Sequence, residues 1–233
     1  MTVVLPFCNR DAACMIDMLR WCADIDSNER CLVSYDTSTT SANVNAVMGI
    51  ARRAYKNVEE LRYSTPKPGH FPPNKAFYEA AQWAQKNKTA WFWNEADCIP
   101  LRNGWLRSLK SEYLKRGKPF MGYIVPDLGH MNGVAIYPAD AATRMIRTMN
   151  EHADAFDVVA KEESVPFAHA ANALMYHAWT IQPDGKLHPY AGGNYPTFTN
   201  RETLRQIPPS AVLFHRCKDG SLTRMLRQCK SEI

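Results

Sequence analysis

The segment TAWFWN, residues 89–94, constrains the fold more than any other part of the chain. Side chains of an extended strand alternate between two faces. Here Trp91 and Trp93 fall on one face and Phe92 on the other, so both are large and apolar. Such a strand must be covered on both sides, as the central strands of a parallel sheet are. The run passes directly into Asn94-Glu95-Ala96-Asp97, and Pro100 closes it. Two carboxylates one residue apart therefore stand at the end of a buried strand.

The preceding sequence supplies the rest of such a sheet. Residues 2–7, 31–36 and 57–64 read as strands. From Asp11 onward, Met15, Met18, Leu19 and Cys22 fall at helical spacing, with Asn9 or Asp11 available as a cap. Residues 41–55 read as a helix, and 65–75 as a Pro-rich loop from which Pro72 and Pro73 open another helix through about Asn87. The order β-α-β-α-β-α-β predicts a doubly wound α/β fold, a mostly parallel central sheet with helices on both faces. The second half is mixed. It reads as a helix at 103–115 capped by Asn103, strands at 120–125 and 133–137, a helix opened by Pro138, and a further helix within 164–180. A loop at 189–200, a strand at 211–215 and a basic helix at 221–230 follow. With no repeat or low-complexity linker, the expectation is a single domain over 1–233 in two lobes, 1–100 and 101–233.

Composition excludes several classes. No apolar run approaches the roughly 20 residues that span a bilayer, and the start MTVVLPFCNRD has no basic region of the kind that opens a signal peptide. A cytoplasmic protein with no membrane partner is expected. The cysteines number seven and no pair is spaced CxxC, which argues against a disulfide framework and a zinc knuckle. Net charge is +5, and residues 201–233 hold seven Lys/Arg against three Asp/Glu. A basic C-terminal end suits a polyanionic partner or a phosphate-bearing ligand; a solvated helix face accounts for the same charges.

In open α/β sheets, ligands bind outside the carboxyl ends of the strands, where Glu95 and Asp97 stand. Alternate residues of an extended segment point the same way, so both carboxylates can face one crevice. Hard anionic oxygens there suit Mg²⁺ or Mn²⁺, with a diphosphate completing the shell. An acid-x-acid triplet also serves simply to cap a turn, and the two readings remain open on these residues alone.

The arrangement resembles the GT-A fold glycosyltransferases, which carry a D-x-D motif at the end of a hydrophobic strand; Glu95-Ala96-Asp97 is similar to it, with Glu at the first position. The resemblance implies a nucleoside-diphosphate sugar donor such as a UDP-sugar, and a divalent metal held by Asp97, Glu95 and, through the late segment FHRCKDGSL (214–222), His215, with Lys218 near the diphosphate. It further implies donor contacts at the first β-α turn (Pro6, Phe7 and Asn9), at Asp36 ending the second strand, and at Asn74 and Lys75 where a helix start attracts phosphate. Asn132 and Gly133 in HMNGVAIYP resemble the strand that lines the sugar pocket. The segments NEADCIPL, HMNGVAIYP and HRCKDGSL are similar to those of small phage or other viral glycosyltransferases, which would work in a host cytoplasm.

The implied reaction moves a sugar to an acceptor hydroxyl. Retention or inversion is not readable; if inverting, the enzyme needs a carboxylate base, for which Asp157 and Asp154 are candidates, Glu162 and Glu163 serve equally well, and surface charge accounts for all four. The basic C-terminal helix and the segment KRGKP (115–119) suit a DNA acceptor with hydroxymethylated bases. Tyr190, Tyr195 and Phe198 would then stack on an extruded base. A glycan, protein or small-molecule acceptor is the alternative. Two rivals remain. A sugar nucleotidyltransferase would carry a Gly-rich loop after the first strand, and PFCNRDAA has no glycine. In a non-catalytic α/β module that binds nucleic acid or protein, the acid pair would be a turn cap.

Overall fold

The computed structural model describes all residues except 26–28, 66–71, 127, 150–153, 190–193 and 231–233. The first half follows the expected alternation: β1 (Thr2–Phe7), α1 (Ala12–Asp24), β2 (Arg30–Asp36), α2 (Ser41–Ala54), β3 (Asn57–Tyr63), α3 (Pro72–Lys86) and β4 (Trp91–Trp93). Then come β5 (Cys98–Pro100), α4 (Trp105–Arg116), β6 (Phe120–Ile124), β7 (Met131–Tyr137), α5 (Ala141–Arg144), α6 (Phe156–Val159), α7 (Lys161–Ser164) and a 3-10 turn (Val165–Phe167). The chain closes with β8 (Ala168–Ala170), β9 (Met175–His177), β10 (Thr180–Ile181), β11 (Leu187–His188), α8 (Arg201–Arg205), β12 (Leu213–His215) and α9 (Ser221–Lys230).

The central sheet has seven strands in the order β3-β2-β1-β4-β7-β6-β8. β3, β2, β1 and β4 run parallel, and β7 pairs antiparallel with both β4 and β6. β4 covers only Thr2–Val4 of β1, so Pro6, which has no N–H, lies beyond that pairing. A second sheet, β5-β12-β9, stands at the carboxyl end of β4, and β10 and β11 form a separate ribbon.

Alternation along the strands divides the core in two. Val3, Leu5, Phe7, Cys31, Val33 and Phe92 face α1, α2 and α4. Val4, Leu32, Trp91 and Trp93 face α3. On that second side Phe77 is the hub: its ring lies 3.9 Å from Phe156 in a stacked pair, 4.9 Å from Tyr137 and 5.1 Å from Trp91. α3 therefore grips the buried aromatic strand and, through Phe156, the segment that carries Asp157.

Several elements differ from those expected. α4 begins at Trp105 behind Gly104, which adopts φ +71, and no side chain caps it; the expected Asn103 cap is absent. The helix opened by Pro138 is a single turn, Ala141–Arg144. The helix expected within 164–180 ends by Phe167 and gives way to β8 and β9. β8 completes the edge of the main sheet by pairing with β6, so sheet pairing overrides local helical spacing there. The seven cysteines are free thiols, four of them buried. Among the described residues no helix is long and apolar enough to cross a membrane.

Phe77→Ala removes the ring that joins α3 to β4, β7 and α6. It is expected to cost about 3–5 kcal/mol in urea unfolding; a loss below about 1 kcal/mol would show that the cluster repacks without it.

Candidate active site

β4 ends at Trp93, and the backbone then turns sharply. Asn94 N–H still donates to Val4 O (2.9 Å), and Cys98 N–H returns to Glu95 O (3.0 Å). The turn thus projects from the carboxyl edge of the parallel sheet, between β1 and β7. Glu95 accepts a hydrogen bond from Trp93 Nε1 (3.1 Å), and Cys14 at the start of α1 donates to Ala96 O (3.1 Å).

The late strand brings its histidine here through backbone pairing. β12 lies antiparallel to β5, setting His215 opposite Cys98. The Asp97 carbonyl then accepts N–H from both Arg216 and Cys217, each at 3.1 Å. Arg216 adopts φ +98, a left-handed conformation uncommon for a residue with a Cβ. Its guanidinium lies 4.1 Å from the Trp179 ring centroid and 4.7 Å from that of Tyr195. These contacts and the paired amides hold the strained residue in place.

The result is a compact charged cluster. His215 Nε2 lies 3.3 Å from Asp97 Oδ1 and 3.5 Å from Glu95 Oε2, and Lys218 Nζ lies 3.6 Å from Asp97 Oδ2. Ligand atoms of Glu95, Asp97 and His215 all lie within 4.8 Å of one another, the one such grouping of three among the described residues. The Nε2 atom is buried without a hydrogen-bond partner, so its attraction to the carboxylates is charge to charge rather than a directed bond. Two carboxylates and an imidazole form a donor set that suits Mn²⁺ or Mg²⁺, and an orphaned ring nitrogen facing both acids fits a cation between them.

The electrostatics follow from burial and crowding. Burial works against charge on His215, but Asp97 and then Glu95 outweigh it and raise its pKa to about 9. Burial likewise works against charge on Asp97, and His215, Lys218 and Arg216 hold its pKa well below the usual carboxylate range. Beside His215, the His177 pKa falls to about 2 because of burial, then His215 and Arg216.

Gly133 sits at the inner wall. A Cβ there would lie 3.0 Å from Phe156 Cζ and 3.5 Å from Glu95 Oε1, so a larger residue would require the Phe156 ring to shift. Its N–H donates to Asp157 Oδ2 (3.2 Å), which also lies 3.8 Å from His130 Nε2. Burial and the Glu95 charge raise the Asp157 pKa, against the pull of His130 and the Gly133 amide. Asp157 therefore faces the cluster, whereas Asp154 is exposed. Asn74 clamps this segment: its Nδ2 donates to Asp154 O and its Oδ1 accepts from Phe156 N, both at 2.8 Å.

Four of the remaining sequence candidates, Pro6, Phe7, Asn9 and Asp36, lie at the ends of β1 and β2. Pro6 and Phe7 end β1, but the Phe7 ring is buried against Tyr35 at 5.6 Å. Asn9 donates to Ser38 O (3.1 Å) and accepts from Thr40 N (2.9 Å). Asp36 accepts from Ser38 N (2.8 Å) and from Thr65 N and Oγ1 (2.8 and 2.7 Å). Those bonds hold Asp36 at about 2, although burial works the other way. Asn9 and Asp36 thus form one rim, joined through Ser38. Lys75 pairs with Glu79 on its own helix rather than with the cluster. Asn132 is 6% exposed and accepts from Val134 N (3.0 Å). Tyr195 lies against Arg216 and Lys218, Phe198 is buried against Phe214, and Tyr190 is outside the described residues. His177, Trp179 and the stacked role of Arg216 carried no sequence motif, and His130 lay in HMNGVAIYP without being singled out; each meets the site through long-range pairing or packing.

No protein-family model matches the chain, and no curated protein sequence matches it. Solved structures do. A galactosyltransferase, LgtC, solved with donor and acceptor sugar analogs, matches at TM-score 0.59 and 10% identity over 100% of this chain and 96% of its own. Mouse xyloside xylosyltransferase 1 matches at 0.54 and 10%, over 95% and 99%. The bifunctional glycosyltransferase WbbM matches at 0.58 and 10%, over 92% of this chain, which spans 45% of the WbbM chain. At such identities the likeness is one of fold, and it establishes the GT-A fold for this chain.

A group whose folded pKa is raised stabilises the fold below its unfolded pKa and loses that contribution as pH rises through the folded value. His215, raised from 6.5 to about 9, should therefore stabilise metal-free protein fully below about pH 6.5 and progressively less up to pH 9. Urea midpoints in chelator are expected to fall over this window for wild type more steeply than for His215→Gln. Parallel pH profiles would remove the buried imidazolium.

Proposed function

We propose that the chain is a nucleotide-sugar-dependent glycosyltransferase that uses a divalent cation, Mn²⁺ or Mg²⁺. One observation carries the reading: on a GT-A fold, Glu95, Asp97 and His215 present ligand atoms within 4.8 Å of one another at the carboxyl edge of the parallel sheet. Bound by these three residues, the cation would supply positive charge against a departing nucleoside diphosphate. Lys218, fixed between Asp97 and the Tyr195 ring, adds a second positive charge for the same group. The rim of Asn9 and Asp36 suits the polar edge of a nucleoside. Asp157 takes the proton of the acceptor hydroxyl, a role favoured by its raised pKa and its place across Gly133 from Glu95. Asp154 is exposed to solvent.

A DNA acceptor rests on charge and on the aromatics Tyr190, Tyr195 and Phe198; part of that charge is used within the fold, Phe198 is buried against Phe214, and Tyr195 lies against Arg216 and Lys218. Arg227 on α9 pairs with Asp17 and Asp24 of α1, and Arg224 donates to Asp219 O. An uncharged acceptor, a saccharide or other hydroxyl compound, is the reading we favour.

The test is a panel of nucleotide sugars assayed for transfer and hydrolysis with Mn²⁺ or Mg²⁺, with simple sugars or hydroxymethylated DNA as acceptor. Metal-dependent turnover is expected with at least one donor, and turnover only on modified DNA would reverse the acceptor assignment. Asp97→Ala should lower it at least about 10²-fold, the scale of several kcal/mol of charge stabilisation; undiminished metal-dependent activity would remove Asp97 from the site.

Asp157→Asn keeps the shape and loses the base. Turnover should fall about 10²–10⁴-fold while the affinity for UDP with Mn²⁺ holds. Equal losses in binding and turnover would make Asp157 a structural acid instead.

A further inference from the structure

His177 belongs to no motif, yet it touches the candidate metal ligand directly. Parallel pairing of β9 with β12 sets it opposite His215. The two Nδ1 atoms lie 2.9 Å apart, and His177 is 1% exposed. Its ring is wedged between Tyr123, stacked at 5.2 Å, and Trp179, edge-on at 5.1 Å, so its rotation is fixed by packing.

Two like nitrogens at hydrogen-bond distance share one hydrogen, so one ring donates and the other accepts. A neutral imidazole that offers a lone pair at Nε2 must carry its hydrogen at Nδ1. His215 Nε2 is the atom that faces Asp97 and Glu95. For a cation to be held there, His215 Nδ1–H must point at His177, and His177 Nδ1 must be bare.

We propose that His177 is the positioning residue for His215: by accepting the Nδ1 hydrogen, it fixes the tautomer and ring rotation that offer Nε2 to a divalent cation shared with Asp97 and Glu95. The inference rests on the metal-site reading given above. Metal-bound histidines generally anchor their second nitrogen on a carboxylate, a backbone carbonyl or water. A second histidine does the same without adding negative charge, in a site that already crowds Glu95, Asp97 and Asp157.

The experiment compares Mn²⁺ affinity by electron paramagnetic resonance, with UDP present, in wild type, His177→Phe and His177→Asn. Phe keeps the ring packing and deletes the acceptor; Asn keeps an acceptor oxygen near the Nδ1 position. His177→Phe should weaken Mn²⁺ binding about 10–100-fold, and His177→Asn should stay close to wild type. Equal affinity in wild type and His177→Phe, or equal loss in both variants, overturns the assignment while leaving the metal site intact. Absence of Mn²⁺ binding by wild type instead removes the metal site, and this inference with it. A measurement needing no variant runs alongside: ¹⁵N NMR of Mg²⁺-loaded wild type should find His215 as the Nδ1–H tautomer, and the Nε2–H tautomer would also overturn the proposal.

Discussion

The candidate site depends on one backbone capture. The Asp97 carbonyl accepts N–H from both Arg216 and Cys217, joining the turn after β4 to the strand that arrives more than a hundred residues later. Without it, Glu95 and Asp97 are a pair of acids on an exposed turn. With it, the β5–β12 pairing sets His215 beside Asp97 and carries Lys218 past on the far side. The capture needs Arg216 at φ +98, a conformation that costs on the order of 1–3 kcal/mol where other contacts do not enforce it. Trp179 and Tyr195 on either side of the guanidinium are such contacts. Strain, stacking and the paired amides therefore act as one device, and its product is the position of an imidazole.

That position sets the charge balance. Three carboxylates, Glu95, Asp97 and Asp157, crowd one wall, two of them touching or facing Gly133. In the absence of a cation, the opposing charge comes from Lys218, Arg216 and the proton on His215. The same neighbours divide the acids. Asp97, next to every cation, is held ionised, and Asp157, next to Glu95 and only one buried histidine, is pushed towards protonation. Like groups whose environments push them apart are the pattern from which binding and proton-transfer roles are proposed.

Much of the sheet was legible because its physics is local. Alternation in TVVLPF, CLVSYD and TAWFWN names strands covered on both faces, and helical spacing between them fixes the crossover order. The acid pair could be placed at a strand end for the same reason. What could not be read depends on distant pairing. Residues 164–180 look helical one turn at a time, but β6 recruits Ala168–Ala170 and β12 recruits Met175–His177. Once that segment is strand, His177 faces His215, a neighbour 38 positions away that no spacing rule predicts. The absent cap at Asn103 is a smaller case: Gly104 makes the turn by its own conformational freedom, so no side chain is needed.

Charge read from a sequence overstates what a surface offers. The C-terminal residues carry a clear excess of Lys and Arg, and as a string they invite a polyanion. In the fold, Thr223 and Arg227 of α9 meet Asp17 of α1, Arg227 also meets Asp24, Arg216 lies between two rings, and Lys218 faces Asp97. Part of the excess thus clamps α9 onto the first helix through Arg227, part balances the buried acids of the site through Arg216 and Lys218, and Arg201, Arg205 and Arg224 remain exposed. An arginine and a lysine beside a carboxylate cluster act over a few ångströms, within a Debye length, on whatever anion the site would hold. The distribution of the charges, rather than their number, directs the reading away from a polymer surface and towards a small anionic ligand.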